Sequence, residues 1–277
     1  MKKIVALVLF VNQCWLHAQN DRFIYAVDYK KDSTSQDMTR ENYILDITKE
    51  DLTYYNRIDY INDSVFASTG KDGFKEFKLT SFFTKKLNNP LYENYEYIGD
   101  VNFYKIEEAV TLDWKITDHT KRINELKVQQ AETNFGGRKW IAWFAPEIPL
   151  SYGPYKFNGL PGLIIEIYDT RKNYFFQLIK SEKIADNYQS HTLKTRKTNA
   201  IKTNYKKLDH LKLELYKDPF KYVFNGKLSI PEGKKLLLDD GTILSKEELK
   251  PAEKREREKI RSFNNSVELD KAVKYPD

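Results

Sequence analysis

Cysteine is almost absent from this sequence, which contains one, Cys14, in 277 residues. Residues 1–18 have the composition of a signal peptide, and no cysteine remains after they are removed. The mature chain therefore cannot form an intramolecular disulfide, a zinc–cysteine site or a thiol nucleophile. An exported chain without disulfides must rely on a buried core, and this one is long enough to form a single large core.

Long apolar runs are also missing after the first residues. The run from Ile4 to Val11 follows two lysines and is too short to span a membrane, and Ala18 offers a small residue for cleavage. We expect residues 1–18 to be a signal peptide. Residues 19–277 should form one domain without a transmembrane segment, located in the periplasm, associated with the outer membrane or outside the cell.

Recognisable catalytic motifs are missing as well. The sequence has no GxSxG, HExxH or SxxK motif and no phosphate-binding loop. His119, His191 and His210 do not lie at ligand spacing from one another, so we predict no catalytic residue, no metal site and no cofactor. The formal net charge of +6 is a small excess of positive residues, and the sequence has no recognisable nucleic-acid-binding motif. We therefore predict no nucleic-acid partner.

The rest of the sequence contains many short runs, rich in tyrosine and phenylalanine, in which apolar and polar residues alternate. This alternation predicts strands. Residues 22–29 and 42–48 alternate as half-buried strands do, and residues 60–68 are another strand candidate. Gly136-Gly137 between two further runs predicts a two-residue hairpin. Its second strand should place Trp140 on one face and Trp143 on the other.

The last part of the chain predicts a short hairpin around Asp240-Gly241 and then a helix. Ser245 and Glu248 have capping-box spacing, and the helix they open is highly charged, as surface helices are. The predicted fold is therefore mainly β. It is a single domain built on a curved antiparallel sheet or partial barrel, with a C-terminal surface helix.

The stretch at residues 151–168, SYGPYKFNGLPGLIIEIY, combines two turn dipeptides with a strand. Pro161-Gly162 predicts a type II turn, and a glycine there also permits close approach of another backbone. Leu160 should point inward, and residues 163–168 should form a strand. One interpretation is a packed corner of the sheet, and the other is the rim of a binding site.

The six residues Gly159, Leu160, Pro161, Gly162, Leu163 and Ile164 carry a resemblance. With the preceding RKWIAWFAPEIPLSYGPYKF at residues 138–157, the sequence resembles the GLPGLI family of Bacteroidetes envelope proteins over residues 114–179. The resemblance implies an envelope location and a fold, and no activity. A Gly-Tyr-x-Cys pattern usual in that family is replaced here by residues 125–128, ELKV.

Aromatic residues around this stretch are the best candidates for a ligand site. They are Trp140, Trp143, Tyr152, Tyr155 and Phe157, together with Leu160. Core packing is the ordinary role of such residues. Because alternation puts the two tryptophans on opposite faces, an apolar groove beside the loop is the alternative.

Three carboxylates, Glu147, Glu166 and Asp169, flank the same stretch and would suit a glycosidase-like hydrolase if two of them faced one cleft. Arg138 is expected to pair with a nearby carboxylate such as Glu132. The sequence favours a non-catalytic envelope protein that binds an apolar ligand or a partner protein. A structural or interaction module of outer-membrane machinery is the alternative, and a carboxylate-based hydrolase is a third.

Overall fold

The computed structural model describes residues 20–71, 79–99, 102–186, 188–226, 229–238 and 242–276. The expected signal peptide at residues 1–18 and the turn at Asp240-Gly241 lie outside the described residues. No helix in the described residues is long and apolar enough to cross a membrane.

Strands dominate the described part of the chain, and twelve of them form one open sheet. They are β1 (Asp21–Tyr29), β2 (Thr39–Ile47), β3 (Asp51–Asn56), β4 (Phe82–Lys86), β5 (Leu91–Tyr97), β6 (Phe103–Ala109), β7 (Lys115–Ile123), β8 (Leu126–Phe135), β9 (Arg138–Ala145), β10 (Leu163–Asp169), β11 (Tyr174–Lys183) and β12 (Ile201–Lys202). The order across the sheet is β12-β6-β5-β4-β3-β2-β1-β11-β10-β9-β8-β7. Neighbours are antiparallel except β12 and β6, which are parallel. The mainly β prediction is confirmed.

A second, two-stranded sheet and several helices complete the described chain. The strands are β13 (Leu236–Leu237) and β14 (Ile243–Leu244); the helices are α1 (Arg57–Thr69), α2 (His191–Thr198), α3 (Tyr205–Lys217), α4 (Lys221–Phe224) and α5 (Lys246–Ser262), with a 3-10 turn at Leu269–Lys271. The predicted capping box opens α5, where the backbone N–H of Ser245 donates to Glu248 at 2.6 Å. With three buried residues among seventeen, α5 is the expected surface helix.

The glycine hairpin between β8 and β9 forms as predicted. Gly136 and Gly137 have φ values of 62° and 73°, which is the positive-φ pair that a type I′ turn requires. In the strand that follows, Trp140 is fully buried while Trp143 is half-buried on the other face. The local sequence determines this arrangement, because the two-residue turn sets how β8 pairs with β9, and alternation along β9 then sets the face of each tryptophan.

Helix α1 replaces the strand predicted at residues 60–68, so that prediction is wrong. Asn56 caps its N-terminus by accepting from the N–H of Ile58, and Gly70 ends it in a left-handed conformation. The helix buries polar residues rather than an apolar stripe. Asp59 pairs with Arg196 of α2 at 2.8 Å. Because the helix is attached to the protein through this ion pair rather than through a stripe of apolar residues, the hydrophobic pattern of its sequence does not indicate a helix.

The two faces of the sheet are covered differently. We call the face that carries Tyr25, Tyr54 and Trp140 the inner face, because these residues belong to the main core. On the outer face, α1 and α2 cover the middle of the sheet, where Ile24 and Ile44 form a second core. Strand β1 is therefore buried on both faces rather than half-buried as predicted.

The loop between β9 and β10 crosses the inner face; its residues 151–162 are called the central loop below. The N–H of Gly162 donates to the carbonyl of Leu160 at 2.8 Å, so the turn at Pro161 is a three-residue γ-turn rather than the predicted type II turn. A Cβ on Gly162 would lie 2.7 Å from the carbonyl carbon of Ala145. Glycine is needed there for the close approach of two backbones.

Candidate functional site

Half of the predicted ligand-binding cluster is part of the main core. Trp140, Phe157 and Leu160 are 0%, 1% and 1% exposed. The ring of Phe157 lies edge-on to Trp140 with centroids 4.7 Å apart, and the indole N–H of Trp140 donates to the carbonyl of Phe135 at 3.0 Å. These three residues fill the space beside the central loop, which corrects the expectation that they line a groove.

The other predicted residues have separate surroundings. Trp143 lies on the outer face, where the Lys121 ammonium sits 4.4 Å from its ring centroid. Tyr152 is half-buried and forms a backbone bridge with Asn158 inside the central loop. Tyr155 alone among the predicted six lines the large cavity described next.

Backbone hydrogen bonds hold the central loop and the GLPGLI residues in place. Leu163 donates to the carbonyl of Ile148 and Ile164 to that of Tyr152, each at 3.0 Å. The hydroxyl of Tyr25 donates to the carbonyl of Ile164 at 2.7 Å. The motif therefore acts as a packed corner that fixes the entry to β10, which agrees with the structural interpretation of its sequence.

A cavity of about 1410 Å³ lies between the inner face and the C-terminal part of the chain. Its floor is the inner face of β1 to β5 and β11. Its roof is formed by α3, α4, α5, β13 and residues 263–276, together called the C-terminal layer below. The cavity exists because this layer spans the sheet without filling the space above the tyrosine-rich strands.

The floor of the cavity is aromatic. Tyr54 stacks on Tyr43 and on Phe83, with ring centroids 5.2 Å and 5.3 Å apart, and Tyr29 stacks on Tyr174 at 5.6 Å. All five side chains line the cavity. Burial, followed by the neighbouring charge of Glu41, raises the pKa of Tyr29 and Tyr43, so both remain neutral at physiological pH.

The roof is largely aliphatic and aromatic. The apolar side chains that face the cavity include Phe220 at the N-cap of α4, Val223 of α4 and Ile260 of α5. Leu237 and Phe263 also line it and are 40% and 50% exposed, so part of the apolar roof is open to solvent. Floor and roof together therefore present two apolar surfaces with space between them.

An ionic cluster of four residues closes one end of the cavity: Lys156 of the central loop, Glu108 of β6, and Glu268 and Lys271 of the C-terminal layer. The Lys156 side chain is 3% exposed, and its Nζ donates to Glu108 and, at 2.6 Å, to Glu268. Lys271 pairs with both glutamates as well. Each charge has two opposite partners, so the cluster is neutral and ties three distant segments together.

Electrostatics in the cluster favour the charged forms. Burial by itself would raise the pKa of Glu108 and of Glu268, but the two lysines outweigh it and hold both pKa values below the ordinary 4.5. Burial would lower the pKa of Lys271, and its two carboxylate partners raise it instead. The hydroxyl of Tyr155 donates to Glu268 at 2.5 Å, and burial raises the pKa of this tyrosine well above 10.

Arg138 forms a second anchor for the C-terminal layer. It pairs with Asp169 at 3.3 Å rather than with Glu132, which instead pairs with Lys139 at 2.8 Å. Its guanidinium also donates to the side chain of Asn265 and to the backbone carbonyl of Ser266, each at 2.6 Å. The side chain is buried, so this arginine acts in folding.

The three carboxylates considered for hydrolysis do not share a cleft. Glu166 lies on the outer face and pairs with Lys121 at 2.9 Å, whereas Asp169 is buried against Arg138. Glu147 is exposed and accepts from the backbone N–H of Lys127 at 3.1 Å. Strand geometry separates the first two, because residues three apart in β10 point to opposite faces.

The histidines are likewise placed apart. His119 is exposed, and its Nδ1 lies 2.7 Å from the side-chain oxygen of Gln130. His191 opens α2 and stacks on Phe66. No group of three or more His, Asp or Glu side chains in the described ranges is arranged to hold a metal ion.

Sequence reasoning missed both the cavity floor and the ionic cluster. The floor comes from strands that were interpreted as ordinary core elements. Within the central loop a signal was available, because Lys156 stands between Tyr155 and Phe157, and a lysine among aromatic residues near a core must be paired. Its partners at positions 108 and 268 could not be found without the fold.

The middle of the chain matches the model of a family described as a protein of unknown function (Porph_ging), over residues 96–166. This uncharacterised family is named for Porphyromonas gingivalis, a member of the Bacteroidetes. The match supports the resemblance to a Bacteroidetes family of unknown function. It runs from β5 into β10 and contains Glu108, Tyr155 and Lys156.

No curated protein matches the sequence. Solved structures with a similar chain path include two of PNGF-II, in the C2 and P21 space groups, which are 13% identical to this chain with TM-scores of 0.49 and 0.48. The superposition covers 68% of this chain and 31% and 32% of those chains. This chain thus spans about a third of the length of those structures.

Proposed function

We propose that this is an exported, non-catalytic binding protein that holds an apolar or amphipathic molecule in the cavity beneath the C-terminal layer. The observation that carries the proposal is the cavity itself. At about 1410 Å³ it exceeds the common range of small-molecule pockets, roughly 300–1,000 Å³, and its walls are mainly apolar with charged side chains of both signs among them. The composition of residues 1–18 supports export.

The placement of the charged side chains favours binding over hydrolysis. Lys156, Glu108, Glu268 and Lys271 neutralise one another, and Glu166 and Asp169 point to opposite faces of the sheet. A hydrolase of the type considered needs two carboxylates at one cleft. The aromatic floor, by contrast, offers the large apolar contact area that a binding site uses.

Native mass spectrometry of the protein purified from the cells that produce it tests the proposal. We expect a reproducible extra mass that solvent extraction removes as a small molecule. The variant Ala272→Trp places a bulky ring in the cavity and should lose this mass, while Ala185→Trp, at an exposed position, should retain it. A bare protein mass, together with no uptake of added amphiphile, would overturn the proposal.

An interaction module is the second candidate, and the open edge of β7 favours it. Among the described strands β7 pairs with β8 alone, and most of its nine residues are exposed. An unpaired edge can accept a strand from another protein. Crosslinking from a photoreactive residue at position 118 would test this. Recovery of one specific envelope protein would support it, and crosslinks to no protein would count against it.

A further inference from the structure

Charged side chains line the cavity in equal numbers of each sign. They are Lys31, Glu41, Glu96, Lys212, Glu256, Lys259, Glu268 and Lys271. A charge that is removed from bulk water costs free energy unless an opposite charge or hydrogen bonds compensate it. A charged side chain among these eight that has no such compensation within the protein therefore marks a position where a ligand could supply it.

Three of the eight have clear partners within the protein. Glu268 and Lys271 belong to the ionic cluster. One carboxylate oxygen of Glu41 accepts from the side-chain amide of Asn56 at 2.8 Å and from the hydroxyl of Tyr43 at 3.2 Å. These groups are held by the fold itself.

Three more have an opposite charge nearby or are open to solvent. Glu256 lies between two cations of α5, with Lys259 3.7 Å from one carboxylate oxygen and Arg255 3.6 Å from the other. That second oxygen is buried and accepts no hydrogen bond from the described residues, so the ion pair alone compensates it. Lys31 is exposed in the turn after β1. Each of these six therefore has an opposite charge, a hydrogen bond or solvent to compensate it.

Glu96 and Lys212 are different. Both are half-buried, both line the cavity, and neither side chain has a hydrogen bond or ion pair with another residue in the described ranges. One is an acid on β5 and the other a base on α3. The described part of the fold thus presents to the same cavity one negative and one positive charge that no other described residue pairs.

The two charges lie on neighbouring elements of the cavity wall. Glu96 of β5 lies opposite Tyr104 of β6 in the strand register, and Tyr104 belongs to the same apolar cluster as Leu208 of α3. Lys212 follows Leu208 by four residues, which places it one turn along the same helix face. The apolar side chains of α4 and α5 line the rest of the roof.

We infer that the ligand is an amphiphile with a zwitterionic head, of the aminophospholipid class. Its ammonium group would pair with Glu96 and its phosphate with Lys212, while its acyl chain lies between the aromatic floor and the roof. Charge-assisted hydrogen bonds to both groups would compensate their desolvation. The inference rests on the proposed function, because it names the ligand class for that same cavity.

Calorimetric titration of the mature protein with four single-chain amphiphiles of equal chain length tests the head group. The probes are a lysophosphatidylethanolamine, an alkyl phosphate, an alkyltrimethylammonium and a monoacylglycerol, each below its micellar concentration. We expect the zwitterion to bind about tenfold more tightly than any of the others. Phosphoethanolamine without a chain should bind far more weakly, because it lacks the apolar contacts.

Variants that remove one charge test which residue binds the ammonium group of the ligand and which binds its phosphate group. Glu96→Gln should weaken binding of the zwitterion and the cation about tenfold and leave the anion unchanged. Lys212→Gln should weaken the zwitterion and the anion and leave the cation unchanged. Lys206→Gln, exposed on the same helix, and Glu125→Gln, exposed near β8, are the matched controls and should change nothing.

The outcomes separate this inference from the proposed function. Equal affinity for all four amphiphiles, or unchanged selectivity in both variants, would overturn the zwitterionic head and leave the cavity as a general apolar site. Tight binding of phosphoethanolamine alone would show a site for a free zwitterion rather than for a lipid. No binding of any probe would overturn the proposed function and this inference with it.

Discussion

Lys156 and Glu268 lie 2.6 Å apart, with side chains 3% and 7% exposed, and are separated by 112 positions in the sequence. The contact joins the central loop to the C-terminal layer that roofs the cavity. Because Glu108 and Lys271 complete the cluster, one end of the cavity is held by four mutually paired charges. The cavity therefore depends on an electrostatic connection as well as on packing.

Removing Lys156 should destabilise the protein strongly. In Lys156→Met the buried Glu268 and the mostly buried Glu108 lose the cation that pairs with both. Removing one partner of a buried ion pair costs about 3–5 kcal/mol. Urea unfolding measures the change. The exposed pair of Lys139 with Glu132 is the control, and Lys139→Met should cost no more than about 1 kcal/mol. Equal effects of the two variants would contradict the buried role of Lys156.

The free energy of unfolding should decrease as the pH is lowered through the acid range. The pKa values of Glu108 and Glu268 are lower in the folded protein than the ordinary 4.5, so the unfolded chain takes up protons first. Their contribution is fully present above about pH 4.5 and is lost as the pH drops through their folded pKa values. Urea midpoints across this range, compared between the natural protein and Glu268→Gln, measure it.

In that comparison Glu268→Gln should show a weaker dependence on pH, because one of the two titrating groups is gone. Glu125→Gln, whose side chain is 98% exposed, should keep the full dependence. Identical curves for all three proteins would mean that the cluster does not stabilise the fold through its charges.

Substitution of Gly162 should destabilise the corner before β10. Even Gly162→Ala places a Cβ 2.7 Å from the carbonyl carbon of Ala145, and overpacking of this kind costs about 1–3 kcal/mol. Gly162→Val should cost more. Gly233→Asn is the control, because its φ of 71° suits asparagine and nothing lies within 4 Å of the added Cβ. Unchanged thermal melting of Gly162→Ala would refute the close-approach role.

The two tryptophans of β9 should respond differently to truncation. Trp140→Ala removes a fully buried ring from the main core and should cost about 3–5 kcal/mol. Trp143→Ala removes a half-buried ring that contacts Lys121 on the outer face and should cost clearly less. Chemical denaturation of both variants gives the comparison, and similar losses would contradict the assignment of the two faces.

Several elements could be predicted because their determinants are close together in the sequence. The Gly136-Gly137 turn, the alternation of Trp140 and Trp143 and the Ser245–Glu248 capping box each depend on a few neighbouring residues. Helix α1 could not be predicted, because its buried face is polar and Asp59 is paired with Arg196 of a distant helix.

The residues expected at the candidate site have different surroundings. Tyr155 lines the cavity, whereas Trp140, Phe157 and Leu160 share its sequence neighbourhood and lie in the solid core. Aromatic content does not distinguish a core from a cavity wall, because both use the same side chains. The difference is set by whether another layer fills the space above them.

The sequence by itself determined the mainly β class, the Gly136-Gly137 hairpin and the capped C-terminal helix, since each follows from local conformational preference. Only the tertiary structure decided that Glu108, Lys156, Glu268 and Lys271 meet and that tyrosines of β1, β2 and β3 form a cavity floor. It also decided that Glu96 and Lys212 face this cavity without a partner among the described residues. The physical reason is that burial and charge pairing depend on which distant segments the open sheet brings together. The hydrophobic pattern of the sequence does not show which of these distant residues come into contact.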